Sequence, residues 1–235
     1  PHTARYLTMN YSEYRGFPPP LTNGGLNEHN VAARDVWSTS RAELIEMTSK
    51  TQTGPQYSDL SRIAMERARS AREAVEIVGA LIDTYGFSTY GGNSHMFADE
   101  NEGWVLLNYA GGKGLWIAER LGPDDIRMSY PGYIHDVPLN FKDNDDFMAS
   151  DNFISFAIEQ GWYDPDGDEP FNAADVYGDN DARYPRHAME DELRAAAPID
   201  LRTMMNAVRD PRVSKDSTGY GQVAQLRDNG RNEMN

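Results

Sequence analysis

No cysteine occurs anywhere in the 235 residues. That absence excludes disulfides, cysteine zinc sites and a cysteine nucleophile within this stretch, and it leaves the redox compartment unread. Lysine is nearly as scarce: Lys50, Lys113, Lys142 and Lys215 are the whole set, so arginine carries most of the positive charge. With 37 acidic residues against 22 basic ones, the formal net charge is -15. Phosphate backbones and anionic bilayers are bound by clustered Lys and Arg, so neither nucleic acid nor a membrane is an expected partner. No apolar run approaches the roughly 20 residues of a membrane helix. The opening PHTARYLTMN lacks the basic-then-apolar layout of a signal peptide. What is present, 39% hydrophobic and 11% aromatic residues, exceeds the content of disordered chains and predicts a soluble folded protein, cytoplasmic or secreted. The length suffices for one large domain or two small ones.

Residues 1–24 are rich in aromatics, proline and glycine, which excludes a long helix there. A turn at Asn27–Asn30 leads into an expected strand over Val31–Trp37. Two helices should follow. The first begins near Ser58 or Ser61. The second begins at Ser70, where Glu73 three residues on completes a capping box. In the second helix Ala71, Val75, Val78, Ile82 and Tyr85 recur at spacings of four and three, which predicts a core-facing stripe ended by Gly86. SHMFAD and GWVLLNYA then flank the turn Glu100–Gly103, and LWIAER adds a third strand. The turn reads as an exposed acidic tip without function. The strands are apolar at consecutive positions (Trp104 to Leu107, Leu115 to Ile117), as strands covered on both faces are. A helix is expected over about Asn152–Gln160, then a helix pair broken at Pro198. GYGQVAQLR reads as a late strand running into an Asn229–Gly230 hairpin turn.

Few residues advertise chemistry. His2, His29, His95, His135 and His187 are scattered singly, without the i, i+4 pairing of a helical metal site, so no metal or other cofactor is expected. Asp164, Asp166 and Asp168 alternate as in a calcium loop. The sixth and twelfth positions, however, hold Glu169 and Asp175 where an EF-hand needs Gly and Glu, and a solvated acidic turn is the expectation. GGNS and AGGKG lack the strand–turn–helix order of a phosphate cradle. Pro1 would serve as a secondary-amine base only as a true N-terminus in a short β–α–β repeat, and nothing here repeats.

Taken in order, four segments resemble the C69 dipeptidase family, which is related to the choloylglycine hydrolases and penicillin V acylases among N-terminal nucleophile hydrolases. They are GGLNEHNVA, MERARSAREAVEIVGALIDTYG, SHMFADENEGWVLLNYAGGKGLWIAER and FMASDNFISFAIEQGWYDP, spanning roughly residues 20–180. The resemblance implies an α/β (α+β) fold, the αββα four-layer sandwich of two stacked sheets, with this chain as its central part. It also implies a nucleophilic N-terminal cysteine whose own α-amine, with a pKa near 8, acts as base, and donors that hold the oxyanion. This sequence departs from the pattern by having no cysteine. The implied substrate is a small peptide or amide. Alternatives are an N-acyl amide acylase and a non-catalytic binding or structural subunit. Homo-oligomers, or complementary chain segments that complete the sheets, are the partners to expect. Three residues are carried over as site candidates. Asn152 is the amide nearest the family's oxyanion asparagine, whose slot holds Ala149, and it reads equally as a helix cap. Trp37 falls where the acylase branch places its other oxyanion side chain, or it is pocket wall or core. Asn27 aligns with an asparagine that shapes a turn.

Overall fold

The computed structural model describes residues 2–10, 16, 21–128, 134–179, 188–214 and 221–227. Seven strands form one antiparallel sheet in chain order: β1 (Tyr6–Asn10), β2 (Thr22–Asn27), β3 (Ala32–Trp37), β4 (Gly92–Ala98), β5 (Gly103–Tyr109), β6 (Trp116–Leu121) and β7 (Phe147–Ala149). Between β3 and β4 run α1 (Ala42–Met47), α2 (Tyr57–Arg67) and α3 (Ala71–Tyr85). After β7 come α4 (Phe153–Glu159), α5 (Ala173–Tyr177), α6 (Ala188–Ala195) and α7 (Leu201–Arg209).

Each strand sends alternate side chains to opposite faces. On one face Ala33, Phe97, Trp104, Leu106, Trp116 and Ala118 form a core with the buried sides of α2 and α3. On the other, Leu107, Tyr109 and Ile117 pack with Leu44 of α1, Phe153 and Phe156 of α4, and Val176 and Tyr177 of α5. Covering on both sides is why consecutive residues of β5, Trp104 to Leu107, are all buried. The expected meander over residues 94–120 is present, as is the helix packed on it. The second face is less closely covered toward β1 and β3: Met204 and Val208 of α7 border a groove over Ala32, Arg34 and Met96, while Leu7 is 67% and Val36 36% exposed. The described residues hold a single antiparallel sheet with helices on it, a mixed α/β fold; a second, stacked sheet is not among them.

Helix α3 shows how local chemistry places these layers. Ser70 caps it, accepting a hydrogen bond from the Glu73 N–H at 3.1 Å. Glu73 reaches back to the Arg69 N–H at 2.7 Å, one residue before the expected partner. Val75, Val78 and Ile82 are buried, each worth about 1.5–3 kcal/mol of transfer free energy. Tyr85, the last member of the expected stripe, is 64% exposed and takes no part in the core. Gly79 lies directly under Trp116: a Cβ there would come within 2.4 Å of the ring.

Two expectations are corrected. Glu102 is no solvated turn tip. It accepts a hydrogen bond from the Trp104 Nε1–H at 3.1 Å, pairs with Arg120 and lies 3.9 Å from Arg72. The indole and both guanidiniums converge there because the hairpin tip folds back beside the start of α3. Residues 221–227 form no strand; instead the Arg227 carbonyl accepts from Asn30 Nδ2 at 3.3 Å. The Asn229–Gly230 turn lies outside the described residues, as do Pro1 and His187. Asp164, Asp166 and Asp168 are exposed, with the Asp166 N–H donated to Asp164 Oδ1 at 3.0 Å, an acidic turn in solvent.

Candidate active site

At one end of the face covered by α2 and α3 the helices leave the sheet, and a cleft of about 700 Å³ opens. Its floor is the sheet itself: Asn23 of β2, Asp35 and Trp37 of β3, and Gly92 and Asn93 of β4. Its walls are the loop carrying Lys50, Gln52 and Gly54, the start of α2 with Tyr57 and Asp59, and the loop Phe87–Tyr90. The two wall loops are laced together. Gln52 Oε1 accepts the Thr89 N–H at 2.8 Å, and the Ser88 N–H donates to the Pro55 carbonyl at 3.0 Å. A volume in the range of small-ligand pockets, bounded by tied loops and a rigid sheet, suits a preformed binding site.

A polar chain runs along the floor. Residues 35 and 95 are directly opposite in the β3–β4 register, and Trp37 is opposite Asn93. Asn93 Nδ2 donates to Asp35 Oδ2 at 3.2 Å and lies 3.4 Å from His95 Nε2. His95 Nδ1 is 3.3 Å from Ser61 Oγ of α2. Since Asn93 Nδ2 can only donate, Nε2 of the imidazole accepts and Nδ1 carries the proton toward the serine. His95 is fully buried, and burial pushes its pKa down to about 3, so the ring is neutral at any physiological pH. Asp35 is 3% exposed. Burial raises its carboxyl to about 6, against smaller opposing effects of Asn93, Asn23 and Arg34. The carboxyl is therefore mostly ionised at neutral pH, and its Oδ1 is buried with no hydrogen-bond partner among the described residues.

Trp37 stands at the mouth, 58% exposed, with its indole laid against Gly91. A Cβ at Gly91 would sit 2.9 Å from Trp37 Nε1, so only glycine leaves room for the ring in this position. Asp59 is occupied elsewhere: its Oδ2 accepts the Gln56 N–H at 3.3 Å in the capping box of α2, and its Oδ1 lies 3.7 Å from Arg62. Lys50 is exposed at the rim and makes no ion pair among the described residues.

The three carried-over candidates fall in three places. Trp37 lines the cleft. Asn27 is buried at the other end of β2 from the cleft, with Nδ2 donating to the Met65 and Ala68 carbonyls at 3.1 and 2.7 Å and Oδ1 accepting from the His29 and Val31 N–H groups, each at 3.0 Å. That set spends its capacity on tying the β2–β3 turn to the end of α2. Asn152 sits at the N-cap position of α4, but its side chain donates to the Lys113 carbonyl at 3.0 Å and caps nothing. It is not among the residues that line the cleft. Asp35 and Asn93 are not singled out in the sequence; Ser61 is read there only as a candidate helix start and His95 only as one of five scattered histidines. A signal existed: alternate positions 33, 35 and 37 share one face of a buried strand, and an aspartate there is a buried charge in need of a reason.

Comparison with known proteins matches residues 8–190 to the model of peptidase family C69. A probable dipeptidase B of Lactococcus lactis subsp. lactis (strain IL1403) is 33% identical over 143 residues, covering 60% of this chain and 29% of that protein. A probable dipeptidase of Salmonella dublin is 31% identical over 173 residues, covering 71% and 39%. A dipeptidase of Bifidobacterium longum (strain NCC 2705) is 30% identical over 173 residues, covering 66% and 31%. The chain thus spans less than two fifths of the length of these relatives. With the family model matched across more than half of its residues, this chain belongs to peptidase family C69.

Proposed function

We propose that the cleft beside Trp37 and Asp35 is the substrate-binding part of an enzyme that hydrolyses dipeptides by the N-terminal nucleophile mechanism. The observation that carries this reading is the coincidence of two facts. The family match runs through every wall of the cleft, and the cleft holds an unpaired buried carboxyl oxygen beside an exposed indole. The three relatives are named as dipeptidases or probable dipeptidases, which favours a dipeptide as ligand. The nucleophilic thiol would come from outside these 235 residues, which contain no cysteine. A second sheet, stacked over the part of the second face that exposes Leu7 and Val36, would complete an αββα sandwich.

In this reading the chain's residues bind and position, and the thiol supplies the bond-breaking attack. Trp37 donates its indole N–H to the oxygen that becomes negative as the amide carbon turns tetrahedral, an interaction stronger in the transition state than in the ground state. Gly91 keeps the indole in place. The neutral His95, held between Ser61 and Asn93, does no proton transfer; it orients Asn93, which orients Asp35. The test is dipeptide turnover by the whole protein. Trp37→Phe keeps the ring and deletes the donor, and should lower kcat by about 10²–10³-fold with little change in KM. Unchanged kcat in that variant refutes the oxyanion role. A second reading, an acylase for N-acyl amides, draws on the aromatic walls Tyr57, Phe87 and Tyr90, which would accept an acyl chain.

A further inference from the structure

We propose that the Asp35 carboxylate is the anchor for the free α-ammonium of the bound peptide, and that it makes this site select unblocked amino termini. The inference rests on the reading of the cleft as a peptide site and deepens it.

Four observations lead there. Asp35 lines the cleft yet is almost wholly shielded from water. One of its oxygens is held by Asn93; the other has no hydrogen-bond partner among the described residues, although the neutral Asn23 amide is close enough to favour the charged form. A desolvated carboxylate with a vacant oxygen is costly, and the group that relieves it best is a cationic N–H donor. Among the described residues the fold brings no such cation to the cleft floor. Lys50 is exposed at the rim, and His95 is buried and neutral; Arg34, next along β3, favours the ionised carboxyl through its charge but belongs to the opposite face by strand alternation and does not line the cleft. Asp59, the other carboxylate of the cleft, is already engaged with the α2 cap and Arg62. The vacancy is thus specific to one oxygen of one residue.

A neutral donor, such as a hydroxyl or a water, would satisfy the hydrogen bond but not the charge. A dipeptide offers both in its α-ammonium. The aromatic side chains of Trp37 and Tyr57 border the same space and favour a cation near their faces. Asn93 completes the arrangement as a positioning residue: by holding Oδ2 it fixes the plane of the carboxylate and leaves Oδ1 as its unpartnered oxygen.

The experiment is calorimetric titration of the chain with two probes that differ at one group. Alanyl-phenylalanine carries the α-ammonium. Propionyl-phenylalanine replaces it by hydrogen and adds no bulk. The expected result is tighter binding of the first by about 10–100-fold, with the difference abolished in Asp35→Asn. Asp35→Ser, which leaves room for water, serves as the second variant should the amide perturb packing. Equal binding of the two probes to the wild-type chain overturns the anchor and leaves the cleft as a peptide site. Tighter binding of the propionyl compound also overturns the anchor and turns the site toward acyl ligands. Binding of neither probe removes the peptide reading of the cleft and the anchor with it. Discrimination that persists in both folded variants overturns Asp35 as its source.

Discussion

Replacing Asp35 by asparagine should stabilise the protein at neutral pH, and the size of the gain follows from where the carboxyl sits. Burial lifts its pKa from 3.8 to about 6. A group whose folded pKa lies above its unfolded value favours folding fully below the unfolded pKa and loses that contribution as pH rises through the folded one. Above pH about 7 the folded chain therefore carries a desolvated charge that costs about 3 kcal/mol, at about 1.4 kcal/mol per pH unit. Asparagine has the same shape, can accept the Asn93 Nδ2–H through its carbonyl, and has no charge to desolvate. Its advantage should be about 3 kcal/mol at pH about 8 and about 0.5 kcal/mol at pH about 4, where most of the aspartate is protonated in the fold. For a chain of this size each kcal/mol moves the midpoint by roughly 2–4 °C, so thermal melts at the two pH values resolve the effect. An Asp35→Asn protein less stable than wild type at pH about 8, or a difference that does not change with pH, would refute the argument. A stabilising change that removes ligand discrimination is the trade expected where a fold holds a strained group for function.

Gly91→Ala should weaken dipeptide binding and turnover by displacing the Trp37 indole, since the added carbon meets Nε1 at 2.9 Å, while melting changes little because the ring is free to swing outward. Glu102→Ala should cost about 1–3 kcal/mol by leaving the buried Trp104 indole N–H without its acceptor, whereas Glu100→Ala at the exposed tip should leave the melt unchanged; chemical denaturation of both separates them. In α3, Gly79→Ala gains about 1 kcal/mol of helix propensity but drives a carbon to 2.4 Å from Trp116; overpacking of about 1–3 kcal/mol outweighs the gain, and denaturant midpoints should fall. The 235-residue chain alone, lacking any thiol, should release no amino acid from a dipeptide above background in a chromatographic assay.

Much of the scaffold could be read in the sequence because its signals are local. Ser70, Glu73 and Gly86 mark the ends of α3, and the spacing of Val75, Val78 and Ile82 gives its buried face, since capping and helical periodicity act within a few residues. The run Trp104–Leu107 implied a strand covered on both sides, and both covers are there. GYGQVAQLR misled for the same reason in reverse: alternation permits a strand, but a strand also needs a partner, and residues 221–227 have none.

The site was legible only in part. Trp37 was placed by resemblance. Asn27 and Asn152 are also amides in matched segments, but their hydrogen bonds go to the Met65, Ala68 and Lys113 carbonyls, and no local pattern announces such long-range partners. Asp35, Asn93, His95 and Ser61 lie on three elements up to 60 positions apart in sequence, and the β3–β4 register brings them into one line. A one-residue slip of that register would turn Asp35 and Trp37 to the other face. Local chemistry thus determined which segments became helix and strand. Burial, a sum over neighbours distant in the chain, decided which carboxylate lost its water, and so which polar residue became the candidate for a site.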